Sequence, residues 1–146
     1  MKHSSAEILA QCLIQKGLFN ALGAPLTSFP WPLYISHLPP PSEGLHMAVI
    51  TETQGVLDGR YTNGIYCEHF GTQLLVRSQF YPRGFSKITE AALELGFVKN
   101  EMITLDGIAY KIVNVSRTSS VLPLGVEEVG RCFLFSVNFL STITQT

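Results

Sequence analysis

The chain has 146 residues, ten basic and eleven acidic side chains, a net charge of −1 and only 14% charged residues, against about 25% in ordinary soluble proteins. That balance excludes gripping nucleic acid through a basic patch, and the sequence lacks the run of ~18 apolar residues that a membrane span needs. So few charges on a chain of one-domain length (1–146) point to apolar surface covered by a partner, hence an obligate oligomer, with an unusually apolar monomer as the alternative.

Glu7 stands where a secretory signal would need an apolar stretch, so no targeting segment is expected. Cys12, Cys67 and Cys132 cannot all pair within one chain, and each sits in an apolar periodic context. They read as small buried hydrophobes in a reducing, cytosolic setting.

In chain order, Ser4 to Gly17 reads as a helix: Ser4 and Glu7 have the capping-box spacing, and Ile8, Leu9, Cys12 and Leu13 form its apolar stripe. Asn20 to Pro30 is a turn-rich connector. Trp31 to Ile35 is a short strand that Pro32 confines to an edge or to its own start, and Leu38 to Gly44 is a stiff polyproline-like spacer. Leu45 to Thr53 alternates as a strand, and Asp58-Gly59-Arg60 with Asn63-Gly64 brackets a hairpin or a bulged excursion.

The stretch from Phe70 to Phe97 organises the rest. Thr72, Leu74, Val76, Ser78 and Phe80 share one face of a strand running to Tyr81, which Pro82 and Gly84 stop. Ser86 then caps a helix whose apolar residues Ile88, Ala91, Ala92 and Leu95 recur at helical spacing, with Gly96 ending it. Such a helix must lie on a sheet to stay folded.

Met102 to Leu105 and Ile108 to Val115 flank Asp106-Gly107, a strong hairpin signal; Ile108, Tyr110 and Ile112 share one face, and Ala109, Lys111, Val113 and Val115 the other. Ser116 to Gly130 shows no period and reads as a long loop, either an interaction loop or a mobile connection. Arg131 to Ile143 is expected to be the longest strand, central in the sheet, with Phe133, Phe135, Val137 and Phe139 under a helix.

Catalytic signatures are sparse. Cys67-Glu68-His69 offers three ligand types but no second cluster at zinc spacing, and Cys67 with His69 could act as thiol and base only in an electropositive setting. The sequence holds no Walker loop, dinucleotide fingerprint or Gly-x-Ser-x-Gly elbow. No cofactor or metal is expected.

Four segments in order resemble the tail terminator proteins of tailed bacteriophages, also labelled tail completion, minor capsid or minor tail proteins. They are the helix Ala6 to Gly17 followed by Trp31 to Ile35; Gln73 to Tyr81 running through a turn into Lys87 to Leu95; Tyr110 to Arg117; and Arg131 to Phe139. The resemblance implies a structural virion protein and not an enzyme: an α+β subunit with a mixed, mostly antiparallel sheet flanked by two helices. Such subunits form a ring, typically a hexamer, that caps the tail tube in the neck, ends tube polymerisation and joins the tail to the head connector. The implied partners are copies of itself, the tube protein and the connector, with DNA passing through the lumen without specific binding; assembly would take place in the host cytoplasm. The loop Ser116 to Gly130, with Leu122 and Leu124, and the turn Asp58 to Gly64 are expected to reach the tube, a neighbour or the lumen. Glu127 and Glu128 would repel phosphates in the lumen. Arg60, Arg117 and Arg131 would meet carboxylates across a subunit boundary, or else remain solvated surface charges. Competing expectations are a ring-forming connector or stopper of the neck, and a small α+β enzyme or ligand-binding module using Cys67 and His69.

Overall fold

The computed structural model describes residues 1–21, 31–40, 46–64, 66–128 and 130–146, with Tyr66 and Cys67 described by backbone alone. Much of the connector at Asn20 to Pro30 and part of the proline-rich spacer lie outside these residues. The first helix, α1 (Ser5–Gln15), starts at the expected capping box: the Ser4 side chain accepts from the Glu7 amide, and the Glu7 carboxylate accepts from the Ser4 amide. Its stripe Ile8, Leu9, Cys12 and Leu13 is buried.

Seven strands form one sheet: β1 (Leu33–Ile35), β2 (Met47–Arg60), β3 (Tyr66–Ser78), β4 (Lys99–Leu105), β5 (Ile108–Arg117), β6 (Leu122–Val126) and β7 (Phe133–Gln145). The order is β1-β2-β3-β7-β5-β4, with β6 paired to β7. Among the described strands only β1 to β2 pair in parallel, so the fold is α+β with a mixed, mostly antiparallel sheet, curled into a half-barrel. As expected, β1 is an edge strand and β7 is central. The longest strand is β2, at 14 residues against 13 in β7.

The second helix, α2 (Tyr81–Gly96), begins earlier than its sequence suggests. Its N-cap is Phe80, not Ser86, and Pro82 sits in its first turn, where the missing N–H costs nothing. The strand before it ends at Ser78, and Phe80 is exposed. Both helices share one core with a single face of the sheet: Leu74, Val76, Phe135, Val137 and Phe139 pack with Leu9, Ile88 and Leu95. Gly84 brings the backbone of α2 onto Phe135.

Asp106 and Gly107 both have positive φ, the geometry of a two-residue hairpin turn. A register shift between Ile112 and Asn114 then inserts a residue into β5. It brings Val115 into the core with Tyr110 and Ile112, correcting the expected alternation. Nearly half of the expected loop Ser116 to Gly130 is strand, the end of β5 and all of β6. β5 and β6 run end to end along the same side of β7, and the Thr118 amide and the Ser119 hydroxyl fill the ladder at Asn138 between them.

Candidate functional site

Among the described residues, besides the outer edges of the terminal strands β1 and β4, the sheet leaves open edge at two diagonally opposite corners. Beyond Ile50, where β1 stops, no described strand covers the outer edge of β2. Past Phe70, where the pairing of β3 with β7 ends, β2 and β3 continue as a two-stranded arm, and β2 is bent by register shifts at Thr53/Val56 and Leu57/Arg60. Residues 52–64 are exposed, among them Val56, Leu57 and Tyr61. At the other corner β4 pairs with β5 only as far as Asn114, and nothing described pairs with the outer edge of β6. Every residue of β6 is exposed, with Leu122 at 56% and Leu124 at 48%. Unpaired edges carrying apolar side chains are templates for another chain.

The sequence-derived candidates divide between these corners. Leu122, Leu124, Glu127, Glu128 and Arg131 belong to the β6–β7 hairpin, closed by a bond from the Glu127 amide to the Cys132 carbonyl. Arg117 ends β5 and leads into the same edge, while Arg60 ends β2 in the arm. Arg117, Glu128 and Arg131 are exposed.

Glu127 is not a free carboxylate. It accepts from Nε of Arg77 at 3.1 Å, and the Arg77 side chain is only 4% exposed. Arg77 also donates to the Pro39 carbonyl at 2.6 Å and lies 3.2 Å from the Met47 sulfur. One guanidinium thus ties the 36–40 segment, β3 and the root of the β6–β7 hairpin together. Sequence reasoning missed it because Arg77 lies on the strand face opposite Leu74 and Val76, which alternation marks as solvated.

A second polar tie holds the arm. His69 on β3 has Asp58 of β2 at 2.6 Å from Nε2 and the Thr142 hydroxyl of β7 at 2.8 Å from Nδ1. A carboxylate only accepts, so Nε2 donates to Asp58, while the Thr142 hydroxyl faces Nδ1. Both nitrogens of His69 are therefore engaged, and a thiol–imidazole pair with Cys67 would require one of these partners to leave.

Between the arm, the start of α1 and the end of β7 lies an open cleft of about 660 Å³, lined by residues including His3, Ser5, Glu52, Glu68 and Thr142. Several of its polar groups are already paired. Glu52 accepts from the Ser5 hydroxyl at 2.8 Å and the Ala6 amide at 2.6 Å, where an anion meets the positive end of α1. His3 lies between the Tyr110 hydroxyl at 2.8 Å and Asp106 at 2.9 Å; its hydrogen bond, then its charge, holds the Asp106 carboxyl below its ordinary pKa. Among the described residues, no group of three or more His, Cys, Asp or Glu side chains gathers as a metal site.

No helix of the described residues is long and apolar enough to cross a membrane. Compared with protein-family models and with curated proteins, the chain matches none.

Proposed function

We propose that this chain is the subunit of a homo-oligomeric ring, a hexamer as in the tail terminators it resembles, which caps the tube of a phage tail, ends its polymerisation and joins the tail to the head connector. The observation that carries the reading is the pair of apolar open edges at opposite corners of one sheet. A subunit with two different sticky corners associates head to tail, and head-to-tail contacts that close by rotation make rings. The low charge fits the same end: a neutral subunit does not hold DNA that must slide through it. The order of segments shared with tail terminators supplies the tail context.

Sedimentation and negative-stain images of the purified protein, alone and with tail-tube subunits, test this. Symmetric rings with a central hole that bind tube ends are expected. A stable lone particle at every concentration, with or without tube subunits, refutes the reading. Rings that bind the portal side and ignore the tube would instead make it a connector or stopper of the neck.

A further inference from the structure

We propose that Asp58, His69 and Thr142 are a catalytic chain that takes acyl groups from small activated esters onto the Thr142 hydroxyl and passes them to water. This activity is separate from ring formation and does not depend on it. Three adjacent strands supply the parts: Asp58 comes from β2, His69 from β3 and Thr142 from β7. Register sets them side by side. Val56 pairs with His69 and Phe70 with Ser141, so His69 and Thr142 are neighbours on the sheet face opposite to Phe70 and Ser141. That is the face away from the helices, since Leu74 and Val137, which share the alternation of Phe70 and Ser141, lie in the core. The Asp58 carboxylate stands 2.6 Å from Nε2 and the Thr142 hydroxyl 2.8 Å from Nδ1. Because the carboxylate only accepts, it keeps the ring proton on Nε2, and in the neutral ring the lone pair of Nδ1 is left for the Thr142 proton. A hydroxyl becomes a nucleophile in this way: a base within hydrogen-bond reach, and a third group that fixes which nitrogen is the base.

A small substrate reaches these groups, because Thr142 is only half-buried and the His69 side chain is 31% exposed. Beside them runs a shallow groove of about 440 Å³, lined among others by Val56, which faces His69 across the ladder, and by Leu140, the next residue on the Thr142 side of β7. Its apolar wall suits a short acyl chain. In the first step Thr142 Oγ1 attacks the ester carbonyl while its proton passes to Nδ1; the bond to the leaving oxygen breaks, and the departing phenol or alcohol takes that proton. Water then attacks the acyl-Thr142 ester and gives its proton to Nδ1, which returns it to Oγ1 as the carboxylic acid leaves. Asp58 stays ionised throughout and balances the imidazolium. The site is open enough for water to solvate the oxyanion, so the substrates are esters whose leaving group departs readily, such as aryl esters of short acids.

Hydrolysis of p-nitrophenyl acetate by the full chain tests the proposal. Thr142→Val and His69→Gln are each expected to lower kcat/KM by about a hundredfold, the scale of a lost nucleophile or base. Asp58→Asn should lose as much although it keeps a bond to the ring, because its amide donates to Nε2 and moves the ring proton to Nδ1. Thr142→Ser retains the hydroxyl and should retain the activity, and acid-quenched wild type should carry an acetyl group on Thr142 in peptide mass mapping. Thermal melting verifies that each variant folds; the serine variant and the acetyl group decide the matter even where Thr142→Val loosens the arm. Cys67→Ser should leave the rate unchanged, and a loss there would assign the nucleophile to the thiol and overturn the proposal. A wild-type rate no faster than that of free imidazole at the same concentration overturns it as well, as does a Thr142→Val variant that works like wild type or an acetyl group found only on lysines.

Discussion

Replacing Glu127 with alanine removes the carboxylate partner of a guanidinium that is 4% exposed. Removing one member of a buried pair commonly costs about 3–5 kcal/mol, because the remaining charge stays buried without compensation. Here the Pro39 carbonyl still accepts from Arg77, and Glu127 keeps a fifth of its surface in water, which places the expected cost near the lower limit, about 3 kcal/mol. For a domain of this size that corresponds to a melting temperature lower by roughly 6–12 °C. Arg77→Met should cost less, about 1–3 kcal/mol, since Glu127 can turn to solvent and the chief loss is the bond to Pro39. In the double variant no unpaired charge remains, so its cost should fall below the sum of the singles by at least ~1 kcal/mol. Urea titrations of the four proteins measure this coupling, and repeating them in 1 M salt separates a shielded pair from a surface pair that salt would screen. If Glu127→Ala melts within about 1 °C of wild type, Arg77 does not depend on Glu127, and the carboxylate is free for another role.

Three further outcomes follow from the packing. Gly84→Ala places a Cβ 2.7 Å from the Phe135 ring and 2.8 Å from the Ser78 Cβ; the substitution should destabilise by about 1–3 kcal/mol in urea, where an uncrowded helical glycine would gain about 1 kcal/mol. His46 is held below its ordinary pKa by burial and then by the Arg83 charge, so the unfolded chain binds that proton more readily. Its contribution to stability is full above about pH 6.5 and is lost as pH falls through the folded value; urea midpoints at pH 7.5 and 5.5 should differ more in wild type than in His46→Gln. The Cys12 thiol is pushed up to about 12, by burial and then by the Glu101 charge; iodoacetamide at pH 8 should leave it unmodified in the native protein and label it in urea, as peptide mass mapping would show.

What the sequence revealed was local. The capping box of Ser4 and Glu7, the stripe of α1, the Asp106-Gly107 turn and the aromatic face of β7 all depend on neighbours within a few residues. The misreadings share another cause: the deciding contact is distant. Pro82 can end a strand or open a helix, and only the packing of α2 on Phe135 selects the second. β6 has no alternation to detect, because both of its faces are exposed and Pro123 and Gly125 interrupt it. The inserted residue in β5 that brings Val115 inward leaves no sequence signature. Of the candidate site, the β6 corner was legible as a place because an aperiodic stretch carrying leucines invites a partner. The arm was half legible, through its turn residues but not its exposed apolar face. Arg77 was hidden because what covers it comes from Pro39, Met47 and Glu127, each remote in sequence.

The two polar ties explain why such exposed elements hold a shape at all. A two-stranded arm without a core is marginal in water, yet Asp58, His69 and Thr142 fasten it across three strands. A short edge strand with a proline and a glycine is weaker still, yet Arg77 holds its exit turn through Glu127. Both tethers hold the elements while Leu57 on the arm and Leu122 and Leu124 on β6 stay exposed. On the proposed reading, ordering done during folding would lower the conformational entropy lost when two copies meet. A free surface loop would need no buried guanidinium at its base. The cost of desolvating Arg77 becomes intelligible if the hairpin it anchors must present Leu122 and Leu124 in a fixed position to the next subunit.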